Sequence, residues 1–186
     1  AGITAVVPVA GGRALFHGGT SDPGVGSGSW LFSTSSHQWA QLNATAPEVR
    51  QGNVLVGLKG GNALYFGGLN AVSLQNDTWL FDGANSTWSQ VSPGVGPSAR
   101  YYSQAVALSN GNALLVGGSA FGGYQGDAWV FNASLQTWQA VGGTQPSARE
   151  EQAVAALDNG DAVYFGGFNR NAFNDTWVYR AGSNSW

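Results

Sequence analysis

The 186-residue chain has no cysteine and no methionine. Without cysteine it has no disulfide, thiolate nucleophile or thiolate metal site. The absence does not report compartment, since a reducing cytosol tolerates it and so does an exterior where the fold needs no staple. Charge is also scarce. Asp, Glu, Lys and Arg make up 9% of the residues, against about 25% in an ordinary soluble domain. Lys59 is the single lysine and the net charge is -3. The basic footprint that nucleic acid requires is therefore missing, as is a cationic patch for an anionic membrane. No apolar run approaches the roughly 18 residues of a membrane-spanning helix. No segment holds a 3.6-residue period over a dozen positions, so almost no helix is expected. No secretory leader is visible, and Ala1 begins almost inside a strand pattern. The chain thus reads as a processed product or as the ordered part of something longer.

Aromatics and glycine are what the chain has in quantity, and they repeat. Gly18-Gly19, Gly67-Gly68, Gly117-Gly118 and Gly166-Gly167 lie 49, 50 and 49 residues apart. Each pair is followed by a Trp-hydrophobic-aromatic triplet: Trp30-Leu31-Phe32, Trp79-Leu80-Phe81, Trp129-Val130-Phe131 and Trp177-Val178-Tyr179. Nine residues after each of these tryptophans stands another, at Trp39, Trp88, Trp138 and Trp186, which accounts for all eight. A period near 50 built from short apolar runs marks a stacked or radial array.

Within residues 98–141 the pattern predicts a four-stranded antiparallel meander. Ser103 to Leu108 is an apolar run, and Ser109-Asn110-Gly111-Asn112 signals a tight turn, because Asn and Gly accept the positive φ that two-residue hairpins need. Ala113 to Val116, Ala128 to Phe131 and Trp138 to Val141 supply the other strands. Matching turns stand at Ala10-Gly11-Gly12-Arg13, Lys59-Gly60-Gly61-Asn62 and Asp158-Asn159-Gly160-Asp161. One such sheet has two apolar faces and is not stable alone. Stacking sheets around an axis buries both, with each tryptophan burying roughly 150–250 Å2 between neighbours. The glycine pairs read as bends against which a neighbouring aromatic lies.

Asn76-Asp77-Thr78-Trp79-Leu80-Phe81 and Asn174-Asp175-Thr176-Trp177-Val178-Tyr179, preceded by an apolar run and Gly-Gly, resemble the kelch repeat of β-propellers, in the galactose-oxidase-type superfamily. Pro97-Ser98-Ala99-Arg100 and Pro146-Ser147-Ala148-Arg149 resemble that family's inter-blade connector. The resemblance covers the whole chain and recurs four times. Repeat 1 departs most, with Ser27-Gly28-Ser29-Trp30 in place of Asn-Asp-Thr-Trp. The resemblance implies an all-β fold: one kelch-type β-propeller region over residues 1–186, in four four-stranded antiparallel blades at about 1–47, 48–97, 98–146 and 147–186, within a larger ring or assembly. Kelch propellers usually close as six or seven blades. With four, the arrangements open to the chain are a portion of a longer array, a ring or filament completed by another chain, and a four-bladed ring of the hemopexin-like kind. The repeat pattern also predicts that the fourth strand of the last blade is cut at Trp186.

Antiparallel order places the connectors and the loops between second and third strands on one rim. That rim carries the candidate binding residues Arg50, Arg100, Tyr101, Tyr102, Phe121, Tyr124, Arg149, Glu150, Arg170 and Phe173. Exposed aromatics beside arginine on loops suit recognition of a protein or a carbohydrate. Arg50, Arg100 and Arg149 recur at the repeat period, which favours bonds to a neighbouring blade's carbonyls over ligand binding. Alternation sends Glu150 and Glu151 to opposite faces, so they read as solvated connector charge and not as an acid/base pair. His17 and His37 fall near opposite ends of one blade, and two histidines without cysteine are thin for a metal site. No Gly-x-Ser-x-Gly elbow is present. Copper oxidases built on kelch-like propellers use Cys- and His-rich sites that this chain lacks, so no catalytic residue, metal or cofactor is expected. The turns Asp158-Asn159-Gly160-Asp161 and Asp22-Pro23-Gly24 lack the alternating oxygen spacing of a calcium loop and read as turn chemistry.

Five glycosylation sequons, at Asn43, Asn76, Asn85, Asn132 and Asn174, all fall in expected loops or turns. Asn43, Asn85 and Asn132, on outer turns, are the better acceptors. With the scarcity of charge, the sequons point to a secreted or cell-surface glycoprotein, with a cytoplasmic location as the alternative. The expected function is a non-catalytic module for protein or glycan interaction, with self-association through terminal blades as a further possibility. The alternatives are a structural subunit of an extracellular assembly or filament, and a kelch-type enzyme domain.

Overall fold

A computed structural model describes residues 5–18 and 27–186. The Asp22-Pro23-Gly24 turn and Gly19 of the first glycine pair lie outside these residues. The described residues form strands and no helix, so no helix is long and apolar enough to cross a membrane. Blade 1 runs in order through β1 (Val6–Val9), β2 (Arg13–Gly18), β3 (Gly28–Ser33) and β4 (Gln38–Leu42). Blade 2 repeats the meander with β5 (Val54–Gly57), β6 (Ala63–Phe66), β7 (Thr78–Asp82) and β8 (Thr87–Val91). Blade 3 has β9 (Gln104–Ala107) and β10 (Ala113–Val116), a small flap of β11 (Ser119–Ala120) and β12 (Gly123–Tyr124), then β13 (Ala128–Asn132) and β14 (Thr137–Ala140). Blade 4 has β15 (Ala153–Ala156) and β16 (Ala162–Phe165), the flap β17 (Phe168–Asn169) and β18 (Asn171–Ala172), and β19 (Thr176–Tyr179). Its fourth strand is reduced to isolated bridges, in which Ser185 pairs antiparallel with Arg180 and parallel with Gly142 of blade 3.

The second strands show why the sequence needs stacked sheets. All four residues of β6 and all four of β10 are buried, because both faces of each strand are covered. Alternation then divides the side chains between two interfaces. Leu55, Ala63, Tyr65, Phe81 and Trp88 of blade 2 pack on Val7, Val9, Leu15 and Leu31 of blade 1. Val54, Val56, Leu64 and Phe66 leave the other face of blade 2 and pack on Ala113, Leu115, Phe131 and Trp138 of blade 3. A third core joins Leu114, Val116 and Val130 of blade 3 to Ala162, Tyr164 and Tyr179 of blade 4. The first strands of successive blades lie side by side along the inner edge.

Among the described residues the row of blades does not close on itself. On the outer side of blade 1, Val6 is 55% exposed and Trp39 46% exposed. On the outer side of blade 4, Phe165 is 51% exposed.

Two local expectations need correction. The first-to-second-strand turn of blade 3 is not a two-residue hairpin. Leu108 N–H donates to Asn112 O at 2.8 Å and Gly111 N–H to Leu108 O at 3.0 Å. These bonds make a three-residue loop closed by Gly111 at φ +91°. The tryptophans, moreover, do not all bind blades together. Trp88, Trp138 and Trp186 lie between blades. Trp79, Trp129 and Trp177 pack half-buried against the same three cores and also donate from Nε1 to the aspartate two residues before them in their own blade, at 2.8, 2.6 and 2.8 Å, whereas Trp30 and Trp39 line the outer side of blade 1.

Candidate functional site

The connector into each blade and its second-to-third loop meet on one rim, as antiparallel order requires. Gln51 bridges to Leu69, Tyr101 to Ser119 and Glu150 to Phe168. The rim is anchored by the three periodic arginines, which are 6%, 1% and 0% exposed at positions 50, 100 and 149. Arg100 shows the arrangement. Its guanidinium grips Asp127 with two bonds of 2.6 and 2.8 Å and donates to Gly117 O at 3.2 Å. Arg50 and Arg149 hold Asp77 and Asp175 in the same bidentate way and donate to Gly67 O and Gly166 O. These partners belong to the arginine's own blade, not to the neighbour's carbonyls as expected. The link between blades is made by the arginine's backbone, whose carbonyl accepts from the preceding blade. Gly68 N–H donates to Arg100 O at 2.8 Å and Gly118 N–H to Arg149 O at 2.9 Å. A partner therefore does not reach Arg50, Arg100 or Arg149, and they are structural.

The glycine pairs belong to the same device. A Cβ on Gly117, at φ +59°, would stand 2.7 Å from Arg149 O, and one on Gly67, at φ +67°, 2.8 Å from Arg100 O. The space next to these glycines is filled by the following connector's backbone and not by a neighbouring aromatic. Blade 1 has Gly28 where the later blades have aspartate, and Trp30 Nε1 is left without a partner.

The side chains that remain available on this rim are mostly aromatic. Phe121 stands at the tip of the β11–β12 flap and is 76% exposed. Tyr124 is half-buried in the same flap, paired with Ser119. The rings of Tyr101 and Tyr102 lie against each other at a tilt of 36°, with centroids 4.6 Å apart, and both are half-buried. Tyr102 has φ +55°, a left-handed conformation costly for a bulky residue. It is held there by its N–H donating to Gly52 O of the preceding blade at 2.8 Å. Glu151 occupies the equivalent position in blade 4 at φ +59° and is exposed.

Arg170, at the tip of the β17–β18 flap, is exposed. Phe173 is half-buried beneath the Arg149 guanidinium, 3.6 Å from ring centroid to Cζ, so it supports the clamp more than it offers a surface. Phe168, which sequence reasoning did not single out, is 41% exposed on the same flap; the flap's own pairing is what turns it outward. Glu150 departs from the solvated reading. Its Oε2 is buried without a partner, and burial raises its carboxyl above the usual range against the lowering effect of Ser119.

The remaining ionisable groups do not converge. His17 is fully buried, its Nδ1 2.7 Å from Ser29 Oγ, with its ring against Tyr65 and Trp88. Burial pushes its pKa down to about 4. His37 sits in the β3–β4 turn at φ +55°. Among the described residues no group of three or more His, Asp or Glu is placed to hold a metal ion. Asp161 of the blade 4 turn accepts from Arg180 at 2.7 Å and from Asn159 at 3.0 Å. Of the sequon asparagines, Asn43, Asn76, Asn85 and Asn174 are exposed. Asn85 donates to Asp82 at 2.7 Å. Asn132 is half-buried, its Oδ1 accepting from the backbone of Ser134 and Leu135.

Residues 2–186 match the family model described as the KLHDC2/KLHL20/DRC7 Kelch-repeats domain. No curated protein sequence matches the chain.

Proposed function

Because the chain belongs to the kelch-repeat family, whose domains are protein-interaction modules, we propose that it holds a protein segment on the connector rim. The observation that supports this reading is the Tyr101–Tyr102 pair of touching rings, with Tyr102 kept in a left-handed conformation. The conformation recurs at Gly52 and Glu151, so the connector fixes the place of the Tyr102 ring on the rim, which lowers the cost of ordering it on binding. Phe121 and Phe168 on the adjoining flaps add exposed aromatic area, and aromatics dominate binding energy at interfaces. Glu151 and Arg170 provide one charge of each sign on the same rim, enough to orient a polar partner.

The test is photocrosslinking from two positions. A benzophenone side chain at Phe121 is expected to capture protein partners, and the same group at Leu135, 72% exposed on the opposite rim, is not. Equal capture from both positions would remove the rim from the account. Tyr101→Ala and Tyr102→Ala are expected to lower capture from Phe121 without lowering the melting temperature by more than a few degrees.

The exposed sequon asparagines favour a second reading, in which the module works outside the cell as a secreted or surface glycoprotein, as a glycan-binding module or as part of a structural assembly. Intact-chain mass of the native protein tests it. Added N-acetylhexosamine and hexose mass is expected, and an unmodified mass from a secretory host would count against it.

A further inference from the structure

The charges of the chain divide unevenly between its two rims. On the rim of the first-to-second and third-to-fourth turns, Arg13, Lys59 and Arg180 stand with Asp82, Asp158 and Asp161, three charges of each sign. On the connector rim, Arg50, Arg100 and Arg149 are committed to Asp77, Asp127 and Asp175. What is left there among the described residues is Glu48, Glu150 and Glu151 against Arg170. The connector rim therefore carries the acid excess.

These carboxylates stand beside apolar tips. In the second-to-third loop of blade 2, Asn70 donates from Nδ2 to Glu48 Oε2 at 2.7 Å, and its Oδ1 accepts from the N–H groups of Val72 and Ser73 at 2.9 and 2.8 Å. One side chain thus ties Glu48 to the loop tip, where Val72 is 88% exposed. In blade 3, Ser119 at the base of the flap bridges to Tyr101 and hydrogen-bonds the Glu150 carboxyl, while Phe121 stands exposed at the flap's tip. In blade order the rim reads Glu48, Val72, the Tyr101–Tyr102 pair, Phe121, then Glu150 and Glu151. It is apolar in the middle and acidic at both ends. All of these residues belong to blades 2 and 3 and to the connectors on either side, so the surface is the same whatever stands beside blades 1 and 4.

Burial, and after it the charge of Glu151, hold the Glu150 carboxyl above the usual range. Among the described residues no cation relieves this pair, since Arg149 is bound to Asp175 and Arg170 makes no ion pair. Lysine and arginine suit such a place because each joins an apolar stem to a cationic head. The stem lies on an exposed apolar tip while the head meets the carboxylate at its base, and a cation over the Phe121 ring gains further attraction.

We propose that the partner segment held on the connector rim is cationic at both ends and apolar between them, with one Lys or Arg laid over Val72 toward Glu48, another over Phe121 toward Glu150 and Glu151, and an apolar side chain on the Tyr101–Tyr102 pair. This deepens the reading of the rim as a protein-binding surface and rests on it. Charge complementarity of this kind sets partner choice and the speed of encounter more than the final affinity.

The test is fluorescence anisotropy of short dye-labelled peptides with the whole chain. The peptides share one apolar centre and carry arginine, glutamine or glutamate on both flanks. The arginine-flanked peptide is expected to bind roughly tenfold tighter than the glutamine-flanked one at low salt, the gap closing as salt rises, and the glutamate-flanked one to bind least. Glu48→Gln, and Glu150→Gln combined with Glu151→Gln, are each expected to weaken the arginine-flanked peptide roughly two- to fivefold and to leave the glutamine-flanked one unchanged. Asp158→Asn, on the opposite rim, is expected to change neither. Equal affinity for the three peptides, all lost in Tyr101→Ala, overturns the charge preference and leaves the rim as a binding surface. An arginine preference that survives both sets of rim substitutions, or that falls as much with Asp158→Asn, reports attraction to an acidic protein without a site and overturns the proposal. Failure of all three peptides to bind overturns it too, while capture from Phe121 decides the rim itself.

Discussion

The indole Nε1 of Trp138 lies 2.9 Å from the hydroxyl of Thr78, one blade earlier in the chain and 60 residues away. Thr78 is fully buried and Trp138 nearly so. The bond converts a non-directional apolar stack into a fixed register, because the indole has one donor and it is directed at the buried hydroxyl of Thr78. Thr78→Val keeps the volume and removes the acceptor, leaving a buried N–H unsatisfied. A loss of about 1–3 kcal/mol is expected, read as a lowered urea midpoint with unchanged slope.

Arg100 fastens its own blade through its side chain and the preceding blade through its carbonyl. Arg100→Lys keeps the charge but cannot grip Asp127 with a planar fork. It is expected to cost roughly 2 kcal/mol, and Arg100→Ala roughly 3–5 kcal/mol. Chemical denaturation of the two variants beside the wild type checks both the order and the size. Equal stability of all three would mean that the clamp contributes nothing.

Gly117 and Gly166 are equivalent glycines with different neighbours. Both have positive φ, at +59° and +67°. A Cβ at Gly117 would press on the Arg149 carbonyl at 2.7 Å, while at Gly166 the nearest atom is Phe173 O at 3.5 Å. Gly166→Ala is expected to cost only the left-handed strain, about 1–2 kcal/mol. Gly117→Ala is expected to cost at least twice as much, because the next connector must also move. Melting temperatures of the pair decide this, and equal losses would contradict the account of the glycine pairs.

Two pH windows follow from the buried groups. His17 falls from an ordinary 6.5 to about 4 because burial disfavours its charged form. The unfolded chain therefore binds the extra proton between these values, and stability declines as pH drops from about 6.5 toward 4. Asp175 falls from an ordinary 3.8 to about 2, chiefly through its hydrogen bond from Arg149. Asp77 and Asp127 are also lowered: burial, the largest single effect, raises each, but the arginine's hydrogen bond and charge and the tryptophan's hydrogen bond together outweigh it. Their stabilisation is complete above the ordinary carboxylate value and is lost as pH falls from about 4 toward 2. Urea midpoints across pH 2–8 are expected to fall in two stages, and His17→Gln to remove only the upper one. A flat profile between pH 6.5 and 4 in the wild type would contradict the buried histidine.

Much of this was legible in the sequence, and the parts that were not share a cause. The glycine pairs and tryptophans gave the period, and the turns placed Ala113–Val116 without error. The partners of Arg50, Arg100 and Arg149 were missed even though Asp77, Asp127 and Asp175 repeat in step with them, because spacing alone does not say which blade a side chain enters. Phe168 was missed because its exposure depends on a two-residue flap too short to show a pattern. The eight tryptophans looked equivalent in the sequence. Whether one lies between sheets or at an open end depends on what stands beside its blade, and local pattern carries no such information.

Hydrogen exchange of the tryptophan indole N–H groups, followed by NMR in the wild type and in Thr78→Val, tests most directly the claim that an indole locks blades 2 and 3 each to a hydroxyl of the blade before. The Trp88 and Trp138 signals are expected to exchange only through global unfolding in the wild type, and Thr78→Val to accelerate Trp138 while Trp88 stays slow. Rapid exchange of both in the wild type, or no selective effect on Trp138 in the variant, would contradict it.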